Sequence, residues 1–236
     1  MAEYDPTIAF GLGKFSQQAY DSKAAITGAL AGSEFFEFFE DNLTNTQGFV
    51  VKFNGHVIVA FRGTQGLQDL ATDALTVKAF VNLFPPRRVH AGFLLAHRSV
   101  RDDIRTAIES LDPPRVFVTG HSLGGALATL AALDLAVERP STQITIYNFG
   151  CPRLGDRGYV GYYNGKMSES FCVAVPEDFI ANLPVGGWGP FRFRHVSQEH
   201  ELENVAPPFH HHDMKTSYLP QLKEASSGVS FFDSSP

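Results

Sequence analysis

The chain has 236 residues, 44% of them hydrophobic and 19% charged, with a formal net charge of -6 at neutral pH. That balance suits a single folded domain and excludes a disordered chain, which cannot bury enough apolar surface. It also excludes a basic nucleic-acid binder, which needs clustered cations, and the mildly basic middle (81–166) is Arg spread along helix-like sequence. The longest apolar stretch, Ala126–Val137, is broken by Thr129 and Asp134 and falls short of the ~18 residues of a membrane span. Met1–Pro6 has neither the basic start nor the apolar core of a leader. The expected location is therefore cytoplasmic if the chain is complete, and extracellular if a leader has been removed. The 21 Phe residues are an unusual number.

In chain order, residues 6–31 carry apolar side chains at helical spacing (Ile8, Leu12, Phe15, Ala19, then Ala24 to Leu30) and predict one or two helices. Residues 34–40 predict a strand or a short helix. Gly48–Phe53, Asn54-Gly55 and His56–Phe61 predict a hairpin, because Asn-Gly supplies both positive-φ positions of a tight turn. Leu67, Leu70, Ala71, Ala74 and Leu75 form an amphipathic stripe. Helix 92–111, strand 115–119, helix 122–138, strand 143–149, a helical stretch at 156–167 and strand 170–175 follow. Strands alternating with helices imply an α/β fold: a mostly parallel sheet with an antiparallel hairpin portion and helices on both faces. The expectation is one domain over 1–236, with a loosely held Ser- and Gly-rich tail at 225–236. Cys151 is expected past the end of one strand and Cys172 near the start of the next, at opposite sheet ends, so both thiols are expected free.

Gly120-His-Ser122-Leu-Gly124 joins an apolar strand to an apolar helix. A nucleophile elbow needs that placement: a sharp turn that exposes a serine hydroxyl, with flanking glycines that let strand and helix approach. The bland alternative is Ser122 as a helix N-cap between packing glycines. A serine hydroxyl needs a base, and the base an orienting acid, in the chain order Ser, Asp or Glu, His. Downstream acids are Asp156, Glu169, Glu177, Asp178 and Asp213, and Asp178 follows a strand, where sites form. His195, His200, His210, His211 and His212 all come later. His56 and His97 read as ordinary surface or packing histidines.

From about residue 47 to 219 the chain resembles the class 3 (fungal-type, Rhizomucor- and Thermomyces-like) lipase family of the α/β-hydrolase fold. The resemblance rests on six blocks in the family's order: 59–64, 89–93, 119–125, 148–155, 178–184 and a His before a helix ending near Tyr218. It implies Ser122 as nucleophile, Asp178 as the acid (with Phe179 where the family usually has Pro, and Glu177 as fallback) and His212 as the base. His211 stays open as the base, since the family's His-to-Tyr spacing is one residue shorter than His212 to Tyr218. The resemblance makes His195 and the 89–93 block structural. It assigns Thr64 as one oxyanion-hole donor and the Leu123 N–H as the other; Thr64 also reads as the cap of the next helix. Residues 66–84 become a candidate lid, with Phe80, Leu83 and Phe84 adding apolar surface, against the alternative of a plain core-facing helix.

The implied activity is a lipase or carboxylesterase hydrolysing acyl esters, acylglycerols first, through an acyl-enzyme and without metal or organic cofactor. The implied partners are an ester or lipid substrate and transient contact with a lipid–water interface, with no nucleic acid and no transmembrane segment. Alternatives are a phospholipase A1 or feruloyl-type esterase with the same triad, or a ligand-binding relative with an idle one. Phe80, Phe84, Phe179 and Phe191 are expected to border the site.

Overall fold

A computed structural model of the chain describes residues 3–64, 80–84, 87–183, 193–196, 198–203 and 210–233. Helices α1 (Pro6–Gln18) and α2 (Lys23–Ala29) open the chain. Strands β1 (Phe35–Asp41), β2 (Thr46–Phe53) and β3 (His56–Phe61) follow as antiparallel neighbours. Asn54 and Gly55 make the β2–β3 turn with φ of 48° and 80°, the left-handed pair that a tight hairpin demands. Strands β6 (Arg115–His121), β7 (Gln143–Phe149), β8 (Glu169–Ala174) and β9 (Gln198–Glu201) then add in parallel. The seven-stranded order is β1-β2-β3-β6-β7-β8-β9. Helices α3 (Ala91–Leu111), α4 (Leu123–Glu138) and α5 (Arg157–Lys166) are the crossovers of the parallel part.

Side chains alternate across each strand, so one strand feeds two cores. Val57, Val59 and Phe61 of β3, with Val116 and Val118 of β6, face α3 and α4. Ile58, Ala60 and Phe117 face the other way, onto Leu12 and Phe15 of α1, Tyr218 and Leu222. Helix α4 is buried along most of its length between the sheet and α3, which is why Ala126–Val137 is apolar all round without being a membrane span. No described helix is long and apolar enough to cross a membrane.

The structure departs from the sequence expectations at four places. The candidate lid at 66–84 lies outside the described residues up to 79, and its end is not helical. Phe80–Phe84 forms strand β4, paired antiparallel with β5 (Arg87–His90) as a separate two-stranded sheet. Strand β9 has no counterpart in the sequence reading. The described part of the expected loose tail, 225–233, is packed at Phe232, which is 1% exposed and meets Phe15 and Phe117 edge to face, while the Asn54 side chain donates to its carbonyl at 2.9 Å. Burying such a ring contributes roughly 2–3 kcal/mol, enough to order a short Ser- and Gly-rich segment. Cys172 is not at the opposite sheet end from Cys151, because β8 starts level with Thr145 and sets Cys172 beside Asn148. Both thiols are free and buried, and burial pushes the Cys151 thiol up to about 12.

Candidate active site

Strand β6 ends at His121 and α4 begins at Leu123, so Ser122 alone makes the turn. Its φ of 60° and ψ of -130° lie where residues with a Cβ are strained, at a cost of about 1–3 kcal/mol. Two backbone bonds hold it there: its N–H donates to the Phe149 carbonyl, and its carbonyl accepts from Gly125, both at 2.9 Å. Ser122 occupies the N-cap position but its side chain caps nothing, so the N-cap reading fails. The flanking glycines are sterically required. A Cβ on Gly120 would stand 2.2 Å from the Gly124 carbonyl oxygen, and one on Gly124 would stand 2.5 Å from that of Phe61.

Asp178 follows β8 and is 0% exposed. Its Oδ1 accepts from the Ile180 and Ala181 N–H groups at 2.9 and 3.3 Å. Its Oδ2 accepts from the Tyr218 hydroxyl at 2.6 Å and from His212 Nδ1 at 2.7 Å. Burial pushes the carboxyl upward, but the bonds from His212 and Tyr218 outweigh it and hold Asp178 below the ordinary carboxylate range. A charged Asp178 fixes the proton of His212 on Nδ1, leaving Nε2, which is buried and has no hydrogen-bond partner among the described residues. Of the alternatives left open by sequence, Glu177 and His210 are exposed and His211 half-buried; His212 is the histidine bonded to Asp178.

Two features support this pair. Gly150, one residue past β7, has φ 54°, and a Cβ there would come within 2.8 Å of Asp178 Oδ2 and 3.1 Å of His212 Cε1. Met214–Tyr218 forms a π-helical turn, capped by the Asp213 side chain accepting from the Thr216 N–H at 2.8 Å. It leads into helix α6 (Leu219–Ala225). A π turn is wider than an α turn, and across it the side chains of His212 and Tyr218 both reach the same Asp178 oxygen.

A cavity of about 280 Å³ opens here, lined by Tyr20, Thr64, His121, His212, Met214 and Lys215 among others. Thr64 lies three residues past β3 and is half-buried. Leu123 is the first residue of α4, so its N–H has no partner within the helix. The His121 ring lies 4.4 Å from that of His212, and its Nδ1 is 2.8 Å from the Tyr20 hydroxyl. Burial and the neighbouring His212 keep the His121 pKa well below the ordinary histidine value. The expected residues 64, 122, 123, 178 and 212 thus fall in one region, at the C-terminal ends of β3, β6 and β8. Tyr20, Gly150 and the bond made by Tyr218 were not foreseen; Tyr218 carried a signal only as the end of the last block. Of the Phe residues expected at the rim, Phe179 is 61% exposed beside Asp178, and the side chains of Phe80, Phe84 and Phe191 lie outside the description. Among the described residues no group of three His, Cys, Asp or Glu side chains is arranged to hold a metal ion.

The model of the family "Lipase (class 3)" matches residues 58–187. The secreted mono- and diacylglycerol lipase A of Penicillium cyclopium is 30% identical over 172 residues, covering 70% of this chain and 54% of that protein. The chain thus spans about half the length of that relative. A solved structure of Rhizomucor miehei triacylglyceride lipase superposes with a TM-score of 0.68 at 22% identity, over 82% of this chain and 78% of that one. A second, of a triacylglycerol lipase whose catalytic centre is formed by a serine protease triad, gives 0.67 at 23% identity, over 83% and 78%. These likenesses establish the α/β-hydrolase fold.

Proposed function

Because the chain belongs to the class 3 lipase family, we propose that it is a serine carboxylic-ester hydrolase acting on acyl esters, with acylglycerols as the first substrate class. One observation carries the reading: a strained Ser122 that caps no helix follows His121, whose ring lies 4.4 Å from that of His212, and His212 has its Nδ1 bound by Asp178 and its buried Nε2 without a hydrogen-bond partner among the described residues. Ser122 Oγ attacks the ester carbonyl as His212 Nε2 takes its proton. Asp178 holds the imidazole and stabilises the imidazolium without itself taking a proton. The negative charge that forms on the carbonyl oxygen is met by the Leu123 N–H and by Thr64, each such donor contributing ~2.7–4 kcal/mol of transition-state stabilisation. The tetrahedral species collapses, the alcohol leaves with the His212 proton, and the acyl group stays on Ser122. Water, deprotonated by His212, then releases the acid and restores the hydroxyl.

The names of the relatives support acylglycerols as substrate. A fluorophosphonate should add its mass to the peptide holding Ser122, and Ser122→Ala should lower kcat by ~10⁶ and abolish labelling. An unlabelled wild-type serine would mean an idle, ligand-binding relative. Hydrolysis rates on tributyrin, phosphatidylcholine and methyl ferulate test the substrate class, and a preference for either of the last two would replace acylglycerols in this reading.

A further inference from the structure

The β3–β6 ladder ends at the pair Phe61↔Gly120. Thr64 and Ser122, which must face one oxygen atom in the transition state, both lie beyond that last pair, so the ladder alone does not fix their separation. One side chain crosses the gap. Tyr20, in the turn after α1, sets its hydroxyl 2.8 Å from Nδ1 of His121, the residue before Ser122. The same hydroxyl lies against Gly63, the residue before Thr64. A Cβ on Gly63 would come within 2.1 Å of it and within 2.5 Å of the His121 carbonyl oxygen.

We propose that Tyr20 is a positioning residue whose hydroxyl clamps the end of β3 to the nucleophile turn and so sets the distance between Thr64 and Ser122. This rests on the hydrolase reading above. The direction of the bond follows from the surroundings. Burial raises the Tyr20 pKa, so its hydroxyl keeps its proton. His121 is buried beside His212 and stays neutral, so its Nδ1 is free to accept that proton's hydrogen bond. Tyr20 also lines the cavity, and the clamp and a direct substrate contact differ in what they do to KM.

The test is Tyr20→Phe, which keeps the ring and deletes the hydroxyl, assayed on soluble p-nitrophenyl butyrate and by the rate of fluorophosphonate labelling. A clamp predicts kcat lower by about 10–100-fold, KM changed by less than about threefold, and labelling slowed in proportion. His121→Leu removes the same bond from its other end, and the double variant should lose no more than the larger single loss. Wild-type kcat in Tyr20→Phe, a loss carried by KM, or additive losses would each overturn the clamp. Should Tyr20→Phe fold poorly, the comparison of His121→Leu with Ser122→Ala in labelling rate decides, and unslowed labelling of His121→Leu refutes the proposal. A wild-type protein that neither labels nor hydrolyses would instead overturn the hydrolase reading beneath it.

Discussion

Ser122 is held by the main chain of its own turn: a strained φ, two backbone bonds at 2.9 Å, and two glycines that no other residue could replace without collision. Asp178 and His212, by contrast, stand 34 residues apart and are joined through side chains, with Tyr218 arriving from 40 residues away to share the same oxygen. In the first region position is written into the backbone, and in the second it is negotiated by hydrogen bonds. The two should therefore fail differently when altered. Damage to the turn should show in the stability of the fold, and damage to the acid–base pair in turnover.

Asp178→Asn cuts deepest into the second region. It removes the charge that fixes the His212 proton on Nδ1 and should lower kcat by about 10⁴ with the fold retained. Steady-state kinetics with a parallel melting curve measures both, and a comparable loss of melting temperature would erase the contrast. Gly124→Ala strikes the first region. Its Cβ would meet the Phe61 carbonyl, a main-chain atom that cannot swing aside, so destabilisation of about 1–3 kcal/mol is expected in chemical unfolding. An unchanged unfolding midpoint would show that the turn yields.

The smallest effect separates the regions by pH. His121, at the turn, has a folded pKa depressed by burial, so the unfolded chain binds its proton more readily. Its contribution should drain away as pH falls below the ordinary histidine value of about 6.5. Asp178 is also depressed, but from a carboxylate value, so its contribution should hold until pH falls below about 3.9 and then be lost as pH drops through the folded pKa. Melting temperature against pH should fall in two stages, and His121→Leu should shrink the upper one alone. His90, His195 and His200 are depressed too and should keep part of that stage.

Legibility in the sequence followed the same division. The turn at Ser122 was readable because its determinants are contiguous: an apolar strand, Gly-His-Ser-Leu-Gly, an apolar helix. The hairpin at Asn54-Gly55 was readable for the same reason. Several acids and five histidines satisfied the chain order, so Asp178 was ranked by its place after a strand together with resemblance to a family, and His212 through that resemblance. Tyr20 lies 101 residues from His121, and no local pattern marks it. β9 is an edge strand reading Gln-Glu-His-Glu, with no apolar alternation to betray it. Phe80–Phe84, read as apolar surface, is a strand paired with Arg87–His90, and no Asn-Gly signal marked that pairing in the sequence. The tail misled because composition reports average solvation, whereas one buried ring decides whether so short a segment is pinned.

Each residue added to an α-helix swings everything after it by about 100°. An inserted residue between His212 and Tyr218 would ordinarily point the tyrosine to a different azimuth and withdraw its hydroxyl from Asp178. The π-helical turn at Met214–Tyr218 is wider than an α turn, and with that width His212 before it and Tyr218 at its end both face Asp178. It sets a phase: the winding of this one turn decides whether two partners of a single carboxylate keep their bearing.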